Sequence, residues 1–205
     1  MAAEAVPQKE IVMNETGMKN KVVSGLFWKL LENGGAQGIQ FVIAILLARL
    51  LTPAEYGVVG IIMIFITIAN VFVQSGFSTA LVQKKQADEG DFSSVCYFEL
   101  AASVLFYLLL YLAAPAIAQF YGISVLKPIV RVLGIVLFPG AVISVQTAYV
   151  SRNMAFRGLF FSTLAASAIS GVISIVMALR GLGVWAMVGQ QISYYISLMI
   201  VLFLT

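Results

Sequence analysis

Along this chain the apolar residues gather into six long runs, at 22–47, 57–82, 94–114, 129–150, 159–179 and 183–204. Each approaches or exceeds the roughly 20 residues that a helix needs to cross about 30 Å of hydrocarbon. Lipid offers no partner for a bare N–H or C=O, so a run of this length spans as a helix. The pattern predicts an all-α polytopic membrane protein. A six-transmembrane-helix bundle occupies 22–205, behind a polar tail at 1–21 in which Met13 or Met18 could equally be the start.

The interruptions between runs carry their own local chemistry. Thr52, Pro53 and Glu55 stand in the order of a capping box, with Thr52 as N-cap, Pro53 as first helical residue and Glu55 reaching back. The loop 84–91 is the most charged, and Asp91 or Ser93 is placed to cap the third span. Pro115 and Gly122 predict a break after that span, with 116–121 as a short interfacial helix. Arg180, Gly181, Leu182 and Gly183 read as a tight turn. The sixth run ends at Phe203, Leu204 and Thr205 with no basic anchor beyond it, which points to a truncated protein. The six runs show no internal repeat.

Composition agrees with the pattern. Of 205 residues, 61% are hydrophobic and 10% charged, with a mean hydropathy of +1.00, whereas soluble domains carry about 25% charged residues. The net charge of +3 is dispersed and forms no basic stripe, so nucleic acid is not an expected partner. There is no histidine, and Cys96 is the only cysteine. That excludes a His/Cys metal site, a Cys–His or Ser–His nucleophile and an internal disulfide. No catalytic residue and no cofactor are expected, and the tail lacks the apolar core of a signal peptide.

Basic residues also set an orientation. Lys9, Lys19, Lys21, Lys84, Lys85, Arg152 and Arg157 fall on the side of the N-terminus, against Arg49, Lys127, Arg131 and Arg180 on the other. Seven against four places the N-terminus, and with six spans the C-terminus, in the cytoplasm.

Candidate chemistry lies inside the spans. At about 100° per residue, Lys29, Glu32, Asn33, Ala36, Gln37, Gln40 and Ala44 share one face of the first helix. Gly34 and Gly38 fall on another face, as a small-residue pair suited to close helix contact. Two readings of Lys29 and Glu32 stand side by side: part of a polar wall, or a local pair at the inner interface with the lysine snorkelling. Asn33, Gln37 and Gln40 fit the wall better. Thr67, Asn70, Gln74 and Ser78 repeat the pattern on the second helix. Glu99, Ser103, Tyr107 and Tyr111 do so on the third, Thr163, Ser167, Ser170 and Ser174 on the fifth, and Gln190, Tyr194 and Ser197 on the sixth. For each hydroxyl the plain alternative is a bond to its own helix. For Glu99 and Arg131 it is an interfacial position. Recurrence on five helices suggests a hydrated, polar inner face that passes or holds a hydrophilic group, the wall being drawn from Lys29, Glu32, Asn33, Gln37, Gln40, Arg49, Asn70, Gln74 and Glu99.

Several stretches together resemble a family. They are Gly25 to Trp28, the run 46–57, the run 76–85, Asp91 to Ser93, Gln146 with 152–157, and the run 181–188. In order and spacing they are similar to the opening half of bacterial polysaccharide flippases. These form the polysaccharide transport branch of the multidrug/oligosaccharidyl-lipid/polysaccharide exporter superfamily. The resemblance implies one lobe of a two-lobe transporter that moves undecaprenyl-diphosphate-linked oligosaccharide between leaflets of the bacterial inner membrane. Such precursors feed capsule, exopolysaccharide, O-antigen or teichuronic-type polymers. It implies lipid-linked oligosaccharide and membrane lipids as ligands. A second lobe or a second copy would be the structural partner, and the polymerase machinery is a further candidate. Lys29 and Arg49 would be the cations facing the diphosphate; where many relatives carry a basic residue after the glutamate, this chain has Asn33. Two other readings compete: a cation-coupled exporter of small molecules, and an inactive lobe or assembly subunit.

Overall fold

The computed structural model describes the backbone of residues 8–74, 81, 89–152 and 156–204, with side chains from Phe27 onward except those of residues 32 and 89. Its helices are α1 (Gln8–Leu50), α2 (Pro53–Gln74), α3 (Glu89–Tyr121), α4 (Leu126–Leu133), α5 (Leu137–Arg152), α6 (Phe156–Leu179) and α7 (Val184–Leu204). A 3₁₀ turn, Gly134–Val136, joins α4 to α5. Six stretches are long and apolar enough to cross a membrane: Phe27–Leu50, Pro53–Gln74, Gly90–Tyr121, Leu126–Arg152, Phe156–Leu179 and Val184–Leu204. The protein is thus an all-α, six-span membrane protein, with no strand among the described residues. α1 starts at Gln8, so its helix begins inside the segment expected to be a tail.

Local signals fix the helix ends. The Thr52 backbone N–H donates to Glu55 Oε2 at 2.7 Å, and the Glu55 N–H donates back to Thr52 Oγ1 at 3.4 Å. This is the reciprocal capping box that the sequence predicts. The end where α1 finishes and α2 starts is called the far end below. At that end α6 closes in a Schellman turn: Gly181 N–H donates to Ala178 O, Leu182 N–H to Met177 O, and Gly181 takes φ +73°. The two turns meet, because the Glu55 carboxylate occupies the space that a side chain at Gly183 would need.

Three local expectations are corrected. Pro115 does not end the third span; α3 runs through it to Tyr121. A proline removes one helix bond, and neighbouring helices in a bundle tolerate the loss. The break comes instead at Gly122, whose φ of +68° forms a second Schellman turn, with Ile123 N–H donating to Ala118 O. Asp91 and Ser93 lie inside α3, which has already begun at Glu89, so neither is its cap. Of the charged loop expected at 84–91, residues 84–88 lie outside the described residues and 89–91 are already helical.

The third correction concerns where helices approach closely. Nothing lies within 4 Å of a side chain built at Gly34 or Gly38. The close seam is on α6 instead. Ser162, Thr163, Ala166, Ser167, Ser170, Gly171, Ser174 and Ala178 are buried there, and α6 is gripped by α1 on one side and α7 on the other. Small residues let helices approach where lipid supplies no hydrophobic drive. Gly171 admits Ile43 of α1 so closely that an added Cβ would sit 2.5 Å from its Cδ1, and Gly35 of α1 takes the ring edge of Phe160. Three hydroxyls of this seam bond their own helix, Thr163 to Leu159 O, Ser170 to Ser167 O and Ser174 to Gly171 O, at 2.9–3.0 Å, while the buried Ser167 Oγ finds no partner among the described residues.

The apolar core sits toward the far end. Ile62, Ile66, Leu110, Ala114, Leu126, Ile129, Val130, Leu133 and Val188 join α2, α3, α4 and α7. Ile43, Leu47, Leu51, Ala178 and Ala186 join α1, α6 and α7 there. Toward the near end the described residues hold a smaller cluster, Leu159, Ala166, Leu198 and Leu202 of α6 and α7, with Ile143 and Val150 of α5 packed against it. Beside it an opening is left between α2, α5 and α7.

Candidate functional site: a polar cleft between α2, α5 and α7

Where those three helices part, a cleft of about 490 Å³ opens. That volume lies within the range of about 300–1,000 Å³ typical of small-molecule sites. Gln74 ends α2 at its rim; Ser144, Thr147 and Ser151 line it from α5 and Tyr194 and Tyr195 from α7, beside the apolar Ile143, Ala148 and Leu198. Ser144, Thr147 and Ser151 are spaced i, i+3 and i+7, so they share one face of α5. Gly140 forms the deep end. A side chain there would come 3.2 Å from Asn70 Oδ1 and 3.5 Å from the Tyr195 ring. The bare backbone at Gly140 thus brings α2, α5 and α7 together at the top of the cleft. Asn70 Oδ1 is buried and accepts no hydrogen bond among the described residues. An orphaned buried acceptor is costly, about 1–3 kcal/mol, and an acceptor of this kind can take a hydroxyl or a water from the cleft.

The lining can therefore bind a hydroxyl-rich group. Serine, threonine and tyrosine both donate and accept, glutamine does so through separate atoms, and the two tyrosines add aromatic faces. The described lining contains no charged residue. It replaces water around a polar solute without supplying a fixed charge.

The sequence candidates divide into groups. Asn70 and Gln74 adjoin the cleft. Gln40 is tied across to α7, where Gln190 Nε2 donates to Gln40 Oε1 at 3.1 Å. Tyr56 of α2 donates its hydroxyl to Ala44 O at 3.0 Å, so the polar face of α1 begins beside α2 and α7. Asn33 and Gln37 are exposed on α1 and do not line the cleft, and Lys29 is half-buried. The Glu32 side chain lies outside the described residues, as do Ser78 and the sequence stretches 76–80 and 82–85. Arg49 is exposed in the last turn of α1. Glu99 is 0% exposed, one turn from the equally buried Ser103, whose hydroxyl bonds Leu100 O at 2.7 Å. It lies on the packed face of α3 and does not line the cleft. Sequence reasoning missed the α5 residues. Their helical spacing was a readable signal, on the one span for which no stripe was singled out.

Comparison with known proteins places this architecture. A family model described as polysaccharide biosynthesis protein matches residues 46–205. The succinoglycan biosynthesis transport protein ExoT of Rhizobium meliloti (strain 1021) is 25% identical over 178 residues, covering 87% of this chain and 36% of that protein. The teichuronic acid biosynthesis protein TuaB of Bacillus subtilis (strain 168) is 30% identical over 145 residues, covering 71% of this chain and 29% of that protein. The chain thus spans about a third of the length of these relatives. No solved structure matches it. The family match takes in α2 to α7 and with them every residue of the cleft, so this six-span chain belongs to the polysaccharide biosynthesis protein family.

Proposed function

We propose that this chain forms one lobe of a flippase for lipid-linked oligosaccharides in the bacterial inner membrane, with its N-terminus in the cytoplasm. The polar cleft carries the reading. A sugar head group is the costly part to move through hydrocarbon, while a polyprenyl tail can stay in lipid. Buried polar groups must keep their hydrogen bonds, and Gln74, Ser144, Thr147, Ser151, Tyr194 and Tyr195 offer substitutes for water. The names of the two relatives, one a succinoglycan transport protein and one a teichuronic acid biosynthesis protein, support a polymer precursor as cargo.

The exposed amides of α1 support a second lobe. Asn33 and Gln37 lie within a span yet face away from the bundle's own contacts. Polar groups at membrane depth face protein or a hydrated cavity, so in the whole transporter these two would face the space between lobes. Alternating access would then be a rocking of one lobe against the other. In the full-length protein, replacing Ser144, Thr147 and Ser151 together by leucine should abolish polymer export in a flippase-deficient strain while membrane insertion persists. Wild-type export by that variant would overturn the reading.

A further inference from the structure

The far end carries a second concentration of chemistry, independent of the cleft. α4 has the sequence LKPIVRVL, and Leu126, Ile129, Val130 and Leu133 are fully or almost fully buried. Lys127 and Arg131, four residues apart, share the opposite face. Lys127 is exposed. Arg131 is half-buried, with its guanidinium carbon 4.1 Å from the centre of the Tyr111 ring on α3. Its Nε is enclosed and finds no acceptor among the described residues. A guanidinium held by one face on a ring keeps its in-plane N–H donors for a ligand.

Charge at this end is unbalanced. Arg49, Lys127, Arg131 and Arg180 lie there, and the one acidic side chain is Glu55. That carboxylate is already committed: its Oε2 accepts from the Thr52 N–H at 2.7 Å and the Thr52 hydroxyl at 2.9 Å. Phe120 and Tyr121, exposed at the end of α3, are the aromatic pair expected at a membrane–water boundary. Arg131 sits five residues into α4, roughly 7 Å below its start, so its cation lies toward the far end of the bundle.

We propose that Lys127 and Arg131, the latter held on Tyr111, bind the phosphate of an anionic phospholipid headgroup at the far end of the bundle. The guanidinium fork matches two phosphate oxygens. Lys127 adds a point charge one turn away, and the partly exposed Tyr111 holds the guanidinium by one face. The phosphate supplies the negative charge that the described residues lack beside Lys127 and Arg131, and pins α4 and α3 to one leaflet.

Native mass spectrometry of the detergent-purified full-length protein tests this, with phosphatidylglycerol and a diacylglycerol of the same chains as probes. Phosphatidylglycerol should be retained over diacylglycerol, and Lys127→Gln with Arg131→Gln should lower that preference by about tenfold or more. Lys127→Gln alone, at an exposed position that no fold contact needs, should lower it less and keeps the test readable if the double variant fails to fold. Arg49→Gln with Arg180→Gln should leave it in place. Equal loss in that control would show only diffuse charge and overturn the site, as would an unchanged preference in the double variant. Displacement of the lipid by millimolar inorganic phosphate would overturn the lipid as ligand and leave a free-phosphate site.

Discussion

Glycine has opposite meanings at different positions in this chain, and space decides which. Gly183 takes φ +54° and its missing Cβ makes room for the Glu55 carboxylate. Gly183→Ala should therefore destabilise the protein by about 2 kcal/mol, from left-handed strain together with a steric collision. Thermal unfolding in detergent, followed by tryptophan fluorescence, would measure it. Gly171 meets Ile43 at a virtual 2.5 Å, so Gly171→Ala should also lower stability, by about 1–3 kcal/mol. Gly38 has nothing within 4 Å. Gly38→Ala adds helix propensity without a clash and should be neutral or stabilising by up to about 1 kcal/mol. A large loss at Gly38 would mean that a neighbour outside this lobe presses on that face. Thr52→Ala removes the hydroxyl that accepts from the Glu55 N–H and donates to Glu55 Oε2, leaves the backbone N–H bond of residue 52 in place, and should cost about 1 kcal/mol.

At the scale of helices, chain order is a poor guide to contact: α1 lies along α6 and touches α2 chiefly near their turn. The Gln40–Gln190 bond therefore joins residues 150 apart in sequence. A double-mutant cycle with leucine at both positions should give a coupling of about 0.6 kcal/mol, the usual size for hydrogen bonds between membrane helices; zero coupling would mean the amides do not bond in the membrane. The six spans were legible because length and backbone bonding in lipid leave few alternatives. The Thr52–Glu55 box and the Gly181 turn were legible because their chemistry is confined to four or five residues. Which face of each helix turns inward was not, because it depends on partners that sequence does not name. The serine stripe on α6 and the serine–threonine stripe on α5 look alike as spacing. One fills a close seam, with Thr163, Ser170 and Ser174 bonding carbonyls of their own helix, and the other lines an opening. Gly34 and Gly38 have the spacing of a contact seam, yet α1 turns Gly35, Ile39, Ile43 and Leu47 toward its neighbours.

For the whole molecule, the two ends differ in how they are held. Two apolar clusters and the Glu55–Gly183 junction draw the far ends of the helices together, whereas α2, α5 and α7 part around hydroxyls toward the near end. A bundle built this way has its cleft on the side where α1 begins, and in the proposed orientation that side is the cytoplasm, where the proposed lipid-linked precursor would be loaded. Thiol labelling tests geometry and orientation together. In a Cys96→Ser background of the full-length protein, Thr147→Cys should react with a membrane-impermeant maleimide faster in inside-out vesicles than in intact spheroplasts, where only the outward-facing turn of the cycle would expose it. Ser170→Cys, in the close seam between α1, α6 and α7, should stay unlabelled from either side. Labelling of Thr147→Cys only from spheroplasts would reverse the orientation while keeping the cleft. Labelling from both sides would show a cleft that reaches the far end during the cycle, as alternating access requires, and protection from both would mean that the other lobe closes over α5 instead of opening onto it.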